Sequence, residues 1–100
     1  MKITVGDLNA DAVINISVEG SIDTLTAQDF ENGVTSHLED AKKLILDFAK
    51  VEYVSSAGLR ALLGLNSQME DKDGMVIINV GESVRDVFEM TGFDELLTIE

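Results

Sequence analysis

The sequence predicts a single α/β domain over residues 1–100: a mixed sheet of about five strands in the order ββαβαβαβ, with helices packed mainly on one face. Three observations predict it. Short apolar runs of strand length alternate with amphipathic segments of helical period. The first two strands stand close together across a short polar turn, which makes an antiparallel hairpin. Each later strand is separated from the one before by a helix, which makes parallel pairs joined by right-handed crossovers. One hundred residues without proline, repeat or low-complexity tract offer no linker and no domain boundary.

Residues 2–5 read as the first strand. Residues 13–19 read as the second, because Ile14, Ile16 and Val18 alternate with Asn15, Ser17 and Glu19. A period of two buries one face and wets the other. Gly6 to Ala12 is the polar turn between them. Gly20-Ser21-Ile22-Asp23-Thr24-Leu25 leads to a first helix with Thr26 as N-cap and Asp29 as an imperfect capping box. Leu25 and Phe30 are spaced for a hydrophobic staple. Phe30, Val34, Leu38 and Ala41 trace the buried stripe, Glu31, Asn32, Thr35 and Glu39 face away, and the helix is expected to end near Asp40.

Leu44-Ile45-Leu46-Asp47-Phe48 reads as a central strand. The second helix starts at Ser55, with Leu59, Leu62, Leu63 and Met69 inward and Arg60, Gly64, Ser67 and Asp71 outward. Asn66 falls inside the apolar stripe, as a satisfied buried amide would. Asp73-Gly74 is a turn, and Met75–Val80 a further buried strand. A third helix runs from Glu82 to Thr91 on the stripe Val84, Val87, Phe88, Thr91, capped by Gly81 or Ser83 and stopped by Gly92, with Phe93 covering its end. Leu96-Leu97-Thr98-Ile99 adds an edge strand.

Hydrophobic residues are 45% of the chain but aromatics only 5%, so aliphatic side chains must fill most of the core. Seven Lys and Arg against 19 Asp and Glu give a net charge of −12. Such a chain repels nucleic acid and anionic membrane and suits a partner with a basic face. There is no cysteine, hence no disulfide or thiolate chemistry. The N-terminal residues lack the shape of a signal peptide, and no apolar run approaches a membrane span. A cytoplasmic protein is the expectation.

The chemistry gathers where the central strand meets the second helix, at Val54-Ser55-Ser56-Ala57-Gly58-Leu59-Arg60. A hydroxyl there lies beside helix N–H groups with no partner and at the positive end of the helix dipole, a place that tolerates an added anion. The plain reading is that Ser55 or Ser56 only caps the helix. No Glu or Gln follows Ser56 at the capping-box position, and Gly58 weakens the first turn by roughly 1 kcal/mol relative to alanine. Ser56 therefore also reads, beside the capping reading, as a phosphate acceptor left open to a large partner. Asp23 and the Ser55–Gly58 turn both lie at carboxyl ends of strands, where α/β sheets gather function. Asp23 reads equally as a turn former bonding its own backbone. Arg60 reads equally as a docking residue and as a solvated helix charge.

Other chemistries fail on the residues. His37 is the single histidine and sits at the edge of the first helix's apolar stripe, so a serine hydrolase lacks its base; Val54 also stands where a nucleophile elbow needs glycine. Lys72 is the last lysine, which leaves a receiver domain without its late lysine. Gly58-Leu59-Arg60-Ala61-Leu62-Leu63-Gly64 lacks the lysine of a phosphate-binding loop, and no Cys or His cluster offers a zinc site.

The segment Val51-Glu52-Tyr53-Val54-Ser55-Ser56-Ala57-Gly58-Leu59-Arg60-Ala61-Leu62-Leu63 resembles the signature of STAS domains, the family of bacterial anti-sigma factor antagonists. Gly20-Ser21-Ile22-Asp23 resembles that family's strand-end motif, often Gly-Glu-Leu-Asp, and Val84 to Phe93 resembles its third helix and stop. The resemblance implies a STAS-like fold and a phosphoacceptor at Ser56. It implies a partner surface of Ser21, Asp23, Thr24, Ser55, Ala57, Gly58, Leu59 and Arg60. It implies an anti-sigma factor serine kinase as partner, bound only by the unphosphorylated form, and a serine phosphatase that restores that form. It implies no catalytic residue, cofactor, metal, nucleic acid or membrane partner. One departure is Ser55, where many members carry Asp; it leaves a second candidate hydroxyl. The alternative reading is a constitutive STAS adaptor or structural subunit of a signalling or lipid-transport complex, with Ser56 only capping. A third is a domain that binds nucleotide or lipid in the rim groove.

Overall fold

The structure is a computed structural model that describes residues Met1–Glu100. Its elements are β1 (Lys2–Val5), β2 (Val13–Ile22), α1 (Ala27–Thr35), β3 (Lys43–Val54), α2 (Ser56–Met69), β4 (Met75–Ile78), α3 (Glu82–Thr91), α4 (Phe93–Leu96) and β5 (Thr98–Ile99). The five strands lie in chain order, β1-β2-β3-β4-β5. The β1–β2 pair is antiparallel and the other three are parallel, giving the expected mixed sheet. Every crossover steps the same way across the sheet, so right-handed connections place their helices on one side. Burial agrees: Ile14, Ile16, Val18, Leu44, Leu46 and Phe48 are buried, whereas Asn15 and Ser17 are exposed and Ile45 and Asp47 half-exposed. Phe30, Phe48 and Phe88 are fully buried among aliphatic side chains. No helix is long and apolar enough to cross a membrane.

Several boundaries differ from the expectation. The strand read as Leu44–Phe48 runs twelve residues, from Lys43 to Val54. Ser17 pairs with Asp47 but Glu19 with Lys50, and Gly20 pairs with Val51 but Ser21 with Tyr53. Each of those steps gives β3 one residue more than β2, as β-bulges do. The bulges throw Phe48, Val51 and Val54 onto the buried side at a spacing of three, which hides the strand period. Likewise β2 continues to Ile22 and takes in residues expected to form a loop.

Helix α1 ends at Thr35, short of Asp40, because i→i−3 bonds from His37 to Val34 (3.0 Å) and Leu38 to Thr35 (3.1 Å) tighten the chain into a turn. Leu38 and Ala41 still drop into the core from that turn. The Lys72 ammonium fixes it by donating to the carbonyls of Leu38 (2.8 Å) and Ala41 (2.9 Å). His37 is exposed in this turn, not on a helix. Leu25 is 88% exposed, so the staple does not form. In α2 the inward positions include Ala61 and Leu65, Leu63 and Asn66 are half-buried, and Gly64, also half-buried, faces the carboxyl group of Glu31 on α1. Helix α3 has Gly81 as N-cap and the left-handed Gly92 (φ 79°) as its stop, and Phe93 opens the short α4, which the sequence pattern did not announce. β4 stops at Ile78 and β5 is two residues long.

Candidate functional site: the rim between β2 and β3

β2 and β3 end level, with Ile22 opposite Val54. The carbonyl of Ile22 then accepts a hydrogen bond from the N–H of Ser55 at 2.9 Å. That bond brings the Asp23 loop and the start of α2 to one rim, as expected of two strand ends in a parallel pair.

The Asp23 loop is built by its own side chains. Asp23 Oδ1 accepts from the N–H of Leu25 (2.9 Å) and of Thr26 (3.1 Å). Thr26 Oγ1 accepts from the N–H of Asp23 (2.9 Å) and donates to the carbonyl of Ser21 (2.8 Å). Thr26 occupies the N-cap position of α1 but its side chain does not cap; Asp23 supplies the acceptor. The carboxylate of Asp23 is thus engaged with its own backbone, the plainer of the two readings. Thr24 and Leu25 are left exposed at the loop tip.

On α2 the two serines separate. Ser55 has extended backbone (φ −87°, ψ 177°), and its Oγ accepts from the N–H of Gly58 at 3.3 Å, so Ser55 is the N-cap. Ser56 is the first helical residue, is exposed, and its hydroxyl takes no part in the cap. Gly58 is buried because α2 starts hard against β2: a Cβ at that position would stand 2.5 Å from the carbonyl oxygen of Ile22. Leu59 is buried in the core. Gly58 and Leu59 therefore seat the helix from below, while Ser56 and Arg60 face outward and Ala57 is half-exposed. Beside them a shallow groove of about 250 Å³ runs between α1 and α2, lined by Thr24, Gln28 and Glu31 on one side and Ala57, Arg60 and Ala61 on the other. Ser21 is half-buried and lies opposite the exposed Tyr53.

This arrangement, a serine at the first helical position beside a self-bonded Asp loop, lies inside a stretch that matches a known domain. Residues 8–100 match the STAS domain. The chain belongs to the STAS domain family. Relatives of this STAS domain include BtrV of Bordetella bronchiseptica, assigned as an anti-sigma factor antagonist: it is 28% identical over 95 residues, covering 93% of this chain and 80% of the relative. The crystal structure of an anti-sigma factor antagonist from Mycobacterium paratuberculosis superposes with a TM-score of 0.82 at 27% identity, over 98% of this chain and 85% of that one. The antagonist SpoIIAA shares the fold in its unphosphorylated form (TM-score 0.80, 17% identity, 99% and 88% coverage). It also does so in its phosphorylated form (TM-score 0.71, 16% identity, 99% and 91% coverage).

In this STAS domain the difference between the two serines is measurable as stability. Ser55→Ala removes the cap and is expected to cost about 1 kcal/mol. Ser56→Ala removes an uninvolved exposed hydroxyl and is expected to stay within about 0.5 kcal/mol of the wild type. Urea denaturation of the two variants checks the assignment; equal losses would mean that the cap is shared.

Leu25, Gln28 and Glu31 join the rim without having been singled out by the sequence. Leu25 was assigned to a staple, and the other two lie on α1, whose outward face carries no signal of a neighbouring helix. No group of three or more His, Asp or Glu side chains is arranged to hold a metal ion.

Proposed function

We propose that this STAS domain is an anti-sigma factor antagonist switched by phosphorylation of Ser56. The unphosphorylated form binds an anti-sigma factor serine kinase and so releases a sigma factor. The kinase transfers phosphate from ATP to Ser56, which ends the binding, and a serine phosphatase restores the first state. The docking surface is the rim of Ser21, Thr24, Ser55, Ser56, Ala57 and Arg60, with Asp23, Gly58 and Leu59 shaping it from within. The protein acts by binding, in the cytoplasm where sigma factors work.

The observation that carries this reading is the exposed Ser56 hydroxyl at the head of α2, freed from capping by Ser55. A kinase can reach it without unfolding anything. The helix N-terminus accepts the product anion, so the fold can hold both states. The names of the relatives point the same way, and SpoIIAA is a protein solved both with and without phosphate.

Intact mass after incubation with ATP and each anti-sigma factor kinase of the same genome tests it. One phosphate is expected on the wild type and none on Ser56→Ala. A gain that persists in Ser56→Ala moves the acceptor elsewhere. Binding without any gain, by kinases active on other substrates, favours a constitutive adaptor.

A further inference from the structure

We propose that Arg60 is an intramolecular receiver for a phosphate on Ser56, so that phosphorylation withdraws a free cation from the docking face as well as adding a dianion to it. The inference rests on Ser56 being the acceptor and concerns what the modified site does next.

Ser56 and Arg60 stand four residues apart on α2, and both are exposed. Residues at that spacing are neighbours on a helix surface, about 5–6 Å apart between Cβ atoms. Helical side chains lean toward the helix N-terminus, so a long side chain covers the turn before its own. An arginine at position 60 can therefore reach back over the turn that holds Ser56. Its guanidinium carries five N–H donors in a rigid fork, a shape that grips two oxygens of one phosphate.

No carboxylate is ion-paired with that guanidinium. The single ion pair present joins Lys50 to Glu19, between the two bulges of the β2–β3 pair. Two carboxylates lie on the elements around Arg60. Asp23 Oδ1 accepts backbone N–H groups of its own loop. Glu31 shares the groove with Arg60, but its carboxyl group lies against Gly64, one turn farther along α2. No acidic residue occupies the first turn of α2, and Arg60 is the only basic residue in that helix. Arg60 is thus an unpaired cation one turn from the proposed acceptor.

The two states of the face then differ twice over. Without phosphate, Arg60 is free to meet an acidic group of a partner. With phosphate, the guanidinium turns back onto its own helix, and the partner meets neither a neutral serine nor a free cation.

The test places phosphoserine at position 56 during translation, so that it needs no kinase. Phosphorus NMR then follows the second ionisation of the phosphate in the otherwise wild-type chain and in Arg60→Gln, Arg60→Lys and Lys42→Gln. Lys42 precedes β3 and so lies at the far end of that strand from Ser56, which makes its variant a control for net charge alone. The phosphate of the wild-type chain is expected to ionise at a pH lower by roughly 0.3–0.5 unit than that of Arg60→Gln, since the arginine favours the dianion. Arg60→Lys should fall between them, and the gap should shrink in about 1 M salt. Lys42→Gln should titrate as the wild type. Arg60→Gln titrating as the wild type, or Lys42→Gln shifting as far as Arg60→Gln, overturns the proposal. Either result leaves the acceptor role of Ser56 standing, because that role is decided by the kinase assay on unmodified protein.

Discussion

Gly58→Ala is expected to destabilise the domain by about 3 kcal/mol, although alanine is the better helix former by roughly 1 kcal/mol. The added methyl group would stand 2.5 Å from the carbonyl oxygen of Ile22, 2.9 Å from Val54 Cγ1 and 3.0 Å from Ile22 Cγ2. None of these can retreat. Ile22 is 0% and Val54 1% exposed, and the Ile22 carbonyl is already bonded to Ser55. The methyl group must push α2 off the end of β2, which breaks that bond and loosens the rim. Urea denaturation should show a lower midpoint with an unchanged slope. Gly64→Ala is the contrasting case: its methyl group meets the end of the flexible Glu31 side chain, which can swing aside into solvent. It should lie within about 0.5 kcal/mol of the wild type or above it. A Gly58→Ala protein as stable as the parent would show that α2 is not seated against β2 as described.

Phosphorylation of Ser56 is expected to weaken binding to the proposed partner, an anti-sigma factor kinase, by about 100-fold or more, while moving folding stability by no more than about 1 kcal/mol. The phosphate adds −1.5 to −2 charges to a surface that a partner must desolvate. A hundredfold loss is about 2.8 kcal/mol, within the several kcal/mol that taking an ion out of water costs. The folded chain itself loses little, because Ser56 is exposed and sits at the positive end of α2. Calorimetric titration of the two forms into the same kinase, with thermal denaturation of each, measures both quantities. Ser56→Glu should give a smaller loss, having one charge and no tetrahedral group. Equal affinity of the two forms would sink the switch. A large fall in stability would mean that lost structure, not charge, explains the lost binding.

The order of elements could be read from the chain because most segments keep one period throughout. Ile14, Ile16 and Val18 announce a strand in any context, and Gly92 marks the end of α3 by needing a left-handed backbone. The misread lengths arise where tertiary contacts, not local period, decide burial. In β3 the two bulges place Phe48, Val51 and Val54 inward at a spacing that belongs to no regular strand. Beyond α1, Leu38 and Ala41 continue the helical stripe although the helix has ended, since the turn carries them into the same core. Helix α4 spans four residues, too few for a period to show. At the rim, the serine pair was legible as a place but not as a division of labour. Only the Ser55–Gly58 bond separates cap from free hydroxyl. The glycine beside them reads locally as a weakness of the helix; its reason, the Ile22 carbonyl, is more than thirty positions away in the chain.

The strand order β1-β2-β3-β4-β5 also bears on how the chain assembles in time. Each strand pairs with the one just before it, so no early strand waits for a late one and no gap must be held open for an insertion. The loops closed at each step are only as long as one crossover helix and its connections. Low sequence separation between partners favours fast folding among α/β domains. A chain leaving the ribosome can lay each element against those already formed. The β2–β3 rim, with α1 between its two strands, is assembled in the first half of that sequence, before β4 and β5 exist to close the sheet.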